Sequence, residues 1–179
     1  MLALRQAGES RPRHRYTTPP SLRPLTAPAD APLRPGAREH PVRALAAAIR
    51  ANPAMPERLR DALLAACHPG GALRTIDKLA LAVGCNRRTL WNQWRQTVGP
   101  GAPLRLEDLL HWLLLYRAAV MHGAGSTWTD AAGQVGVHVH TLARFAHRFT
   151  GKGLRDLGDD AERAVAAALE REFLPRLRA

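Results

Sequence analysis

Leu79-Ala-Leu-Ala-Val-Gly-Cys-Asn-Arg-Arg-Thr-Leu90 decides the fold, because it returns in altered form as Ala131-Ala-Gly-Gln-Val-Gly-Val-His-Val-His-Thr-Leu142, 52 residues further on. Across 79–99 and 131–151 the identical pairs are Ala80/Ala132, Val83/Val135, Gly84/Gly136, Thr89/Thr141, Leu90/Leu142 and Gly99/Gly151. Six matches in 21 ungapped positions exceed what composition alone gives, so the chain carries an internal repeat.

Each matched residue has a mechanical reason. Two helices that meet at a sharp corner need a small residue at the crossing, which Ala80 and Ala132 supply. Four positions later the corner needs a residue free to take positive φ, and Gly84 and Gly136 supply it. Val83 and Val135 close the turn from inside, Leu90 and Leu142 bury one side of the following helix, and Gly99 and Gly151 mark its stop. The pattern is that of a helix-turn-helix, in two copies.

The second helix of such a unit presents its N-terminal residues to base edges in the major groove. In the first copy Asn86 is an N-cap and the outward residues are Arg87, Arg88, Trp91, Asn92 and Arg95. Arginine pairs with guanine and asparagine with adenine, so this set suits direct readout. Trp94, four residues after Leu90, shares the buried face. In the second copy the outward set is Val139, His140, Ala143, Arg144, His147 and Arg148, behind the weaker cap His138. Arg144 is placed to read a base, and His140, His147 and Arg148 to touch phosphate. His138 and His140 lie two apart, point to different faces and have no carboxylate or cysteine near in sequence, so no metal site is expected.

Working outward, residues 1–40 contain seven of the fourteen prolines and seven arginines, with a net charge of +4, and read as a disordered basic tail. From Pro41 the period is helical and no alternating strand follows. Helices are expected at about 42–51 and 56–67, the latter with Leu59, Leu63, Leu64 and Cys67 on its apolar face and His68-Pro-Gly-Gly as its stop. Leu106–His122 is apolar on nearly all sides (Leu109, Leu110, Trp112, Leu113, Leu114, Leu115, Val120) and reads as a buried central strut. A last helix at about 160–173 carries Ala161, Ala164, Val165, Ala168, Leu169 and Phe173 on one stripe. The fold class is therefore all-α: two helix-turn-helix subdomains, 41–104 and 105–158, joined by a long central helix, with a disordered N-terminal tail and a C-terminal amphipathic helix at 159–179.

Charge follows this organisation. Lys+Arg is 26 against 15 Asp+Glu, a net +11, and all but Lys78 and Lys152 are arginine, the cation suited to bidentate phosphate and guanine contacts. Residues 41–104 hold nine basic and three acidic side chains, 105–158 six and four, and 159–179 four and five. The first copy is the stronger electrostatic anchor. The acidic last helix is a packing or self-association element.

Two isolated cysteines, Cys67 and Cys85, give neither a zinc set nor a disulfide framework and fit a reducing cytosol. No secretory h-region precedes them, and the strut is too short and too charged to span a bilayer, so the chain reads as soluble and cytoplasmic. Enzymatic signatures are weak. Tyr116 sits on a helix expected to be buried, and Cys67-His68 are adjacent helical residues about 100° apart, a poor arrangement for thiol activation. No cofactor is called for.

From Pro56 to Leu157 the chain resembles the DNA-binding domain of AraC/XylS-type transcription regulators. Pro56 to Leu64 is similar to that family's first helix, and Leu79-Ala80, Gly84, Asn86, Leu90, Trp94 and Gly99 follow at the family's spacing. Leu106–His122 resembles its connecting helix and Ala132 to Gly151 its second unit. Val137, where the family has phenylalanine, and Ala146 depart from the pattern. The resemblance covers the DNA-binding domain only and does not extend to a sensor domain. It implies sequence-specific binding of double-stranded DNA by helices near 86–96 and 138–149, without catalysis. RNA polymerase and a second copy of the chain, joined through the C-terminal helix, are candidate further partners. The competing expectation is a helical protein-interaction module that keeps the fold without reading DNA.

Overall fold

The computed structural model describes residues 40–68, 75–99 and 101–178. The tail expected over residues 1–40 lies outside them except for His40, as do Pro69–Gly71 of the proposed helix stop. Every regular element among the described residues is helical. In chain order these are α1 (Pro41–Ala51), α2 (Glu57–Cys67), α3 (Ile76–Ala82), α4 (Arg87–Val98), α5 (Leu106–Gly123), α6 (Trp128–Val135), α7 (Val139–Thr150), α8 (Leu154–Leu157), α9 (Ala161–Glu172) and α10 (Leu174–Leu177), with a single 3-10 turn at Gly158–Asp160 between α8 and α9.

The strut forms as its composition demands. Leu109, Leu110, Trp112, Leu113, Leu114, Leu115, Tyr116, Ala118 and Ala119 of α5 are all buried. Its neighbours are α6, α7 and, most extensively, α9, with α2 touching it as well. Val120, expected in the same buried set, is 38% exposed, because full cover of α5 stops at Ala119. Enclosing so long a helix requires that its few polar groups find partners. Trp112 Nε1 donates to the Val165 carbonyl at 2.7 Å, and the Tyr116 hydroxyl donates to Glu162 at 2.8 Å. Arg117 donates to the Ala66 and His68 carbonyls at the end of α2, 2.7 Å each, and so satisfies acceptors that the helix itself leaves open.

The C-terminal elements tie the molecule together. Ala161, Val165, Ala168, Leu169 and Phe173 are buried, and α9 packs on α5, α7 and α1 while α10 packs on α1 and α4. All of the expected stripe but half-buried Ala164 is thus enclosed within the chain's own core. Asn52, a polar side chain buried in this core, donates to the Leu177 carbonyl at 2.9 Å and accepts the Ala54 amide at 2.9 Å. That pair fastens the end of α1 to α10. His40, assigned to the tail, instead opens α1 and sets its ring edge-on to Tyr116 at 5.6 Å.

Candidate nucleic-acid interface

The two helix pairs α3–α4 and α6–α7 are built on the same local devices at the same 52-residue offset. Thr75 and Thr127 cap α3 and α6, accepting the amides of Lys78 at 3.3 Å and Asp130 at 3.1 Å. Gly84 and Gly136 turn the corners at φ 63° and 73°. At the first corner the Cys85 amide donates to the Ala80 carbonyl and the Gly84 amide to Leu81. At the second, Val137 donates to Ala132 and Gly136 to Gly133. These paired bonds are the Schellman arrangement, which closes a helix on a left-handed residue. Ala80, Leu90, Ala132 and Leu142 are all buried, as the spacing requires.

α4 then starts from Asn86, whose Oδ1 accepts the Thr89 amide at 2.8 Å and the Thr89 hydroxyl at 3.0 Å. Thr89 is therefore engaged in the cap. α7 starts from His138, which caps differently: its Nδ1 accepts the His140 amide at 3.3 Å and its ring stacks on that of His140, centroids 5.0 Å apart. His138, expected as the weaker cap, thus accepts through a ring nitrogen from the amide two residues on, where Asn86 accepts from the amide three residues on. At the far ends Gly99 leaves α4 with φ 91° and ψ 144°, whereas Gly151 leaves α7 left-handed at φ 72° and ψ 3°, so the repeat diverges there.

Arg87, Arg88, Trp91, Asn92 and Arg95 of α4 are all exposed, and so are His140, Arg144, His147 and Arg148 of α7. Val139 and Ala143 are half-buried, and Trp94 is enclosed, with its Nε1 donating to the Leu104 carbonyl at 3.0 Å. Position by position across the repeat, Arg88 and Arg95 become His140 and His147, while Asn92 becomes Arg144. The Arg95 guanidinium lies over the Trp91 ring at 4.7 Å, which keeps a 39% exposed indole beside a cation.

Both exposed helices reach the start of α5. Arg87 meets Glu107 at 3.1 Å, with Asp77 at 3.9 Å on its other side, and Arg148 meets Asp108 at 3.4 Å. Consecutive residues of one helix turn thus hold one guanidinium from each helix pair. The same Asp108 oxygen accepts the Arg105 amide at 2.9 Å and caps α5. One turn on, His111 stacks on Phe145 of α7 at 4.1 Å. Burial pushes its imidazole pKa below the ordinary value, against the upward pull of Asp108 and Glu107 and with the help of Arg144.

Thr75, Thr127, Glu107 and Asp108 were not singled out by sequence reasoning. The two threonines lie at the repeat's own offset, just outside the 79–99 window, followed in each case by an acidic residue in the first turn, and that signal was available. The carboxylates were visible only as acidic residues at a helix start. Elsewhere, Cys67 is buried and burial pushes its thiol up to about 11, with Arg117 and Arg50 pulling the other way, so it is held as the inert thiol. No helix among the described residues is long and apolar enough to cross a membrane. No protein-family model matches the chain, and neither the curated proteins nor the solved structures supply a significant match.

Proposed function

We propose that the chain is a sequence-specific double-stranded DNA-binding transcription regulator of the AraC/XylS type, reading the major groove with α4 and α7. What carries this reading is the structural repeat: two helix pairs with the same threonine caps on their first helices and the same corners, each presenting a solvent-facing second helix whose outward residues are cationic or base-reading types. Arg87, Arg88 and Asn92 suit guanine and adenine edges, and Trp91 suits an apolar contact with a thymine methyl or a sugar. Arg144 is the base reader of α7, with His140, His147 and Arg148 toward phosphate. The attachment of Arg87 and Arg148 to adjacent residues of α5 supports placing both helices toward one duplex, in successive major grooves about 34 Å apart.

Selection from a randomised duplex library, followed by titration of the selected site, tests the proposal. Five exposed arginines lie on the two helices. Affinity should fall with salt at roughly −0.9 in log–log slope per phosphate contact, at most about 500-fold between about 50 and 200 mM were all five on phosphate, and less with Arg87, Arg88 and Arg144 on bases. Arg88→Ala and Asn92→Ala should each cost about 1–3 kcal/mol at the selected site and relax base choice there. No enriched sequence, together with flat salt dependence, refutes the reading in favour of a helical protein-interaction module.

A further inference from the structure

The adjacent carboxylates at the start of α5 occupy a place where a DNA-facing surface gains nothing from negative charge. Yet each is committed to an arginine of a different exposed helix, Glu107 to Arg87 and Asp108 to Arg148. We propose that Glu107 and Asp108 are positioning residues that restrain Arg87 and Arg148 and thereby set the ratio of specific to non-specific DNA binding; this rests on the DNA-binding reading above.

First, both ion pairs are exposed on the arginine side, with 59% and 51% of the Arg87 and Arg148 side chains accessible, and exposed pairs hold weakly. The guanidinium groups can leave. Second, leaving is not free. Glu107 keeps its Oε2 buried without a partner, so departure of Arg87 strips that carboxylate of its compensating charge. A screened phosphate, one point of charge on any sequence, offers little return for this. A guanine edge offers two aligned acceptors and does. Third, Asp108 is anchored by the Arg105 amide through the oxygen that faces Arg148, so the carboxylate stays in place as a competitor whether or not DNA is present. Such restraint lowers affinity for random duplex more than for the right site, where Arg87 gains a base edge and the docked register fixes the phosphate that Arg148 meets, and specificity is gained by penalising the wrong partner.

The test compares the full chain with the double variant Glu107→Gln/Asp108→Asn on the selected duplex and on a random duplex of equal length, across salt. Both amides keep an acceptor oxygen, and the Asn can still take the Arg105 amide. Freed from Glu107 and Asp108, with only the longer 3.9 Å approach of exposed Asp77 left on Arg87, each arginine adds about 0.9 to the salt slope on random DNA, roughly 3.5-fold in affinity per arginine between about 50 and 200 mM. Random-duplex affinity should rise about tenfold at the lower salt while selected-site affinity rises much less, so the ratio narrows. Glu107→Gln alone, which leaves the α5 cap bond untouched, should give about half the effect. Asp159→Asn/Glu170→Gln changes net charge equally at exposed positions outside the two ion pairs and should leave the ratio as it is. Equal gains on both duplexes, or the same narrowing in the Asp159/Glu170 control, overturn the inference while leaving the DNA-binding reading standing. Failure of the unaltered protein to bind any duplex overturns both.

Discussion

Replacing Gly84 by alanine isolates the corner on which the first helix pair depends. Gly84 sits at φ 63°, and a Cβ built there meets no atom within 4 Å. Space is therefore no obstacle, and the whole cost is the clash of a Cβ with its own backbone in the left-handed region, about 1–2 kcal/mol. Alanine also narrows the unfolded ensemble, which returns a fraction of that. The net expectation is a loss of about 1 kcal/mol, or about 3 °C in Tm for a domain of this size. Asparagine tolerates the left-handed region better and should cost less, and valine should cost more. Gly136, at φ 73° in the equivalent corner, carries the same backbone penalty with alanine, and the two losses should add because the corners share no hydrogen bond. Thermal and urea unfolding followed by far-UV circular dichroism measures all of these. A Gly84→Ala protein as stable as the parent would mean that the corner is not left-handed. A loss beyond about 4 kcal/mol would mean that packed neighbours crowd it. Either result refutes the reasoning, and an order of Asn, Ala and Val other than the stated one does so as well.

Three other perturbations follow from the packing. The His111 pKa is lowered in the fold, so below about pH 6.5 the unfolded chain takes up a proton that the folded chain resists. Stability should therefore fall as pH drops through that value and be unaffected by this group above it, and His111→Leu, still able to lie on Phe145, should lose that part of the pH dependence in urea titrations. Asn52→Ala leaves the Leu177 carbonyl without its 2.9 Å donor in a buried place and should cost about 1–3 kcal/mol; an unchanged unfolding midpoint would contradict the α1–α10 fastening. A thiol reagent at neutral pH should modify half-buried Cys85 readily and buried Cys67 only after denaturant is added, and equal rates at the two sites would show that Cys67 is not enclosed.

The pieces legible in the sequence were those fixed within a few residues. The corners need a glycine four positions after a small crossing residue. The exposed arginines follow from the helical period once Leu90 is placed inside, and the all-round apolar strut admits no other reading than burial. His138 shows the limit of that local reasoning. Its side chain has no oxygen and reads as a poor cap, and it caps through a ring nitrogen to the amide two residues on, at 3.3 Å.

What tertiary structure alone decided is how separated segments satisfy one another. Arg87 and Glu107 are 20 residues apart, Arg148 and Asp108 are 40 apart, and Asn52 and Leu177 are 125 apart. The same holds for the last helix: an alanine stripe reads equally as a dimer face or as core cover, and only the docking of α9 on α5 made it cover. Periodicity, caps and turns are set by sterics and hydrogen bonds along the backbone, so the chain specified them by itself. Which carboxylate meets which guanidinium depends on where whole helices come to rest, and the packing of α6, α7 and α9 around α5 settled that.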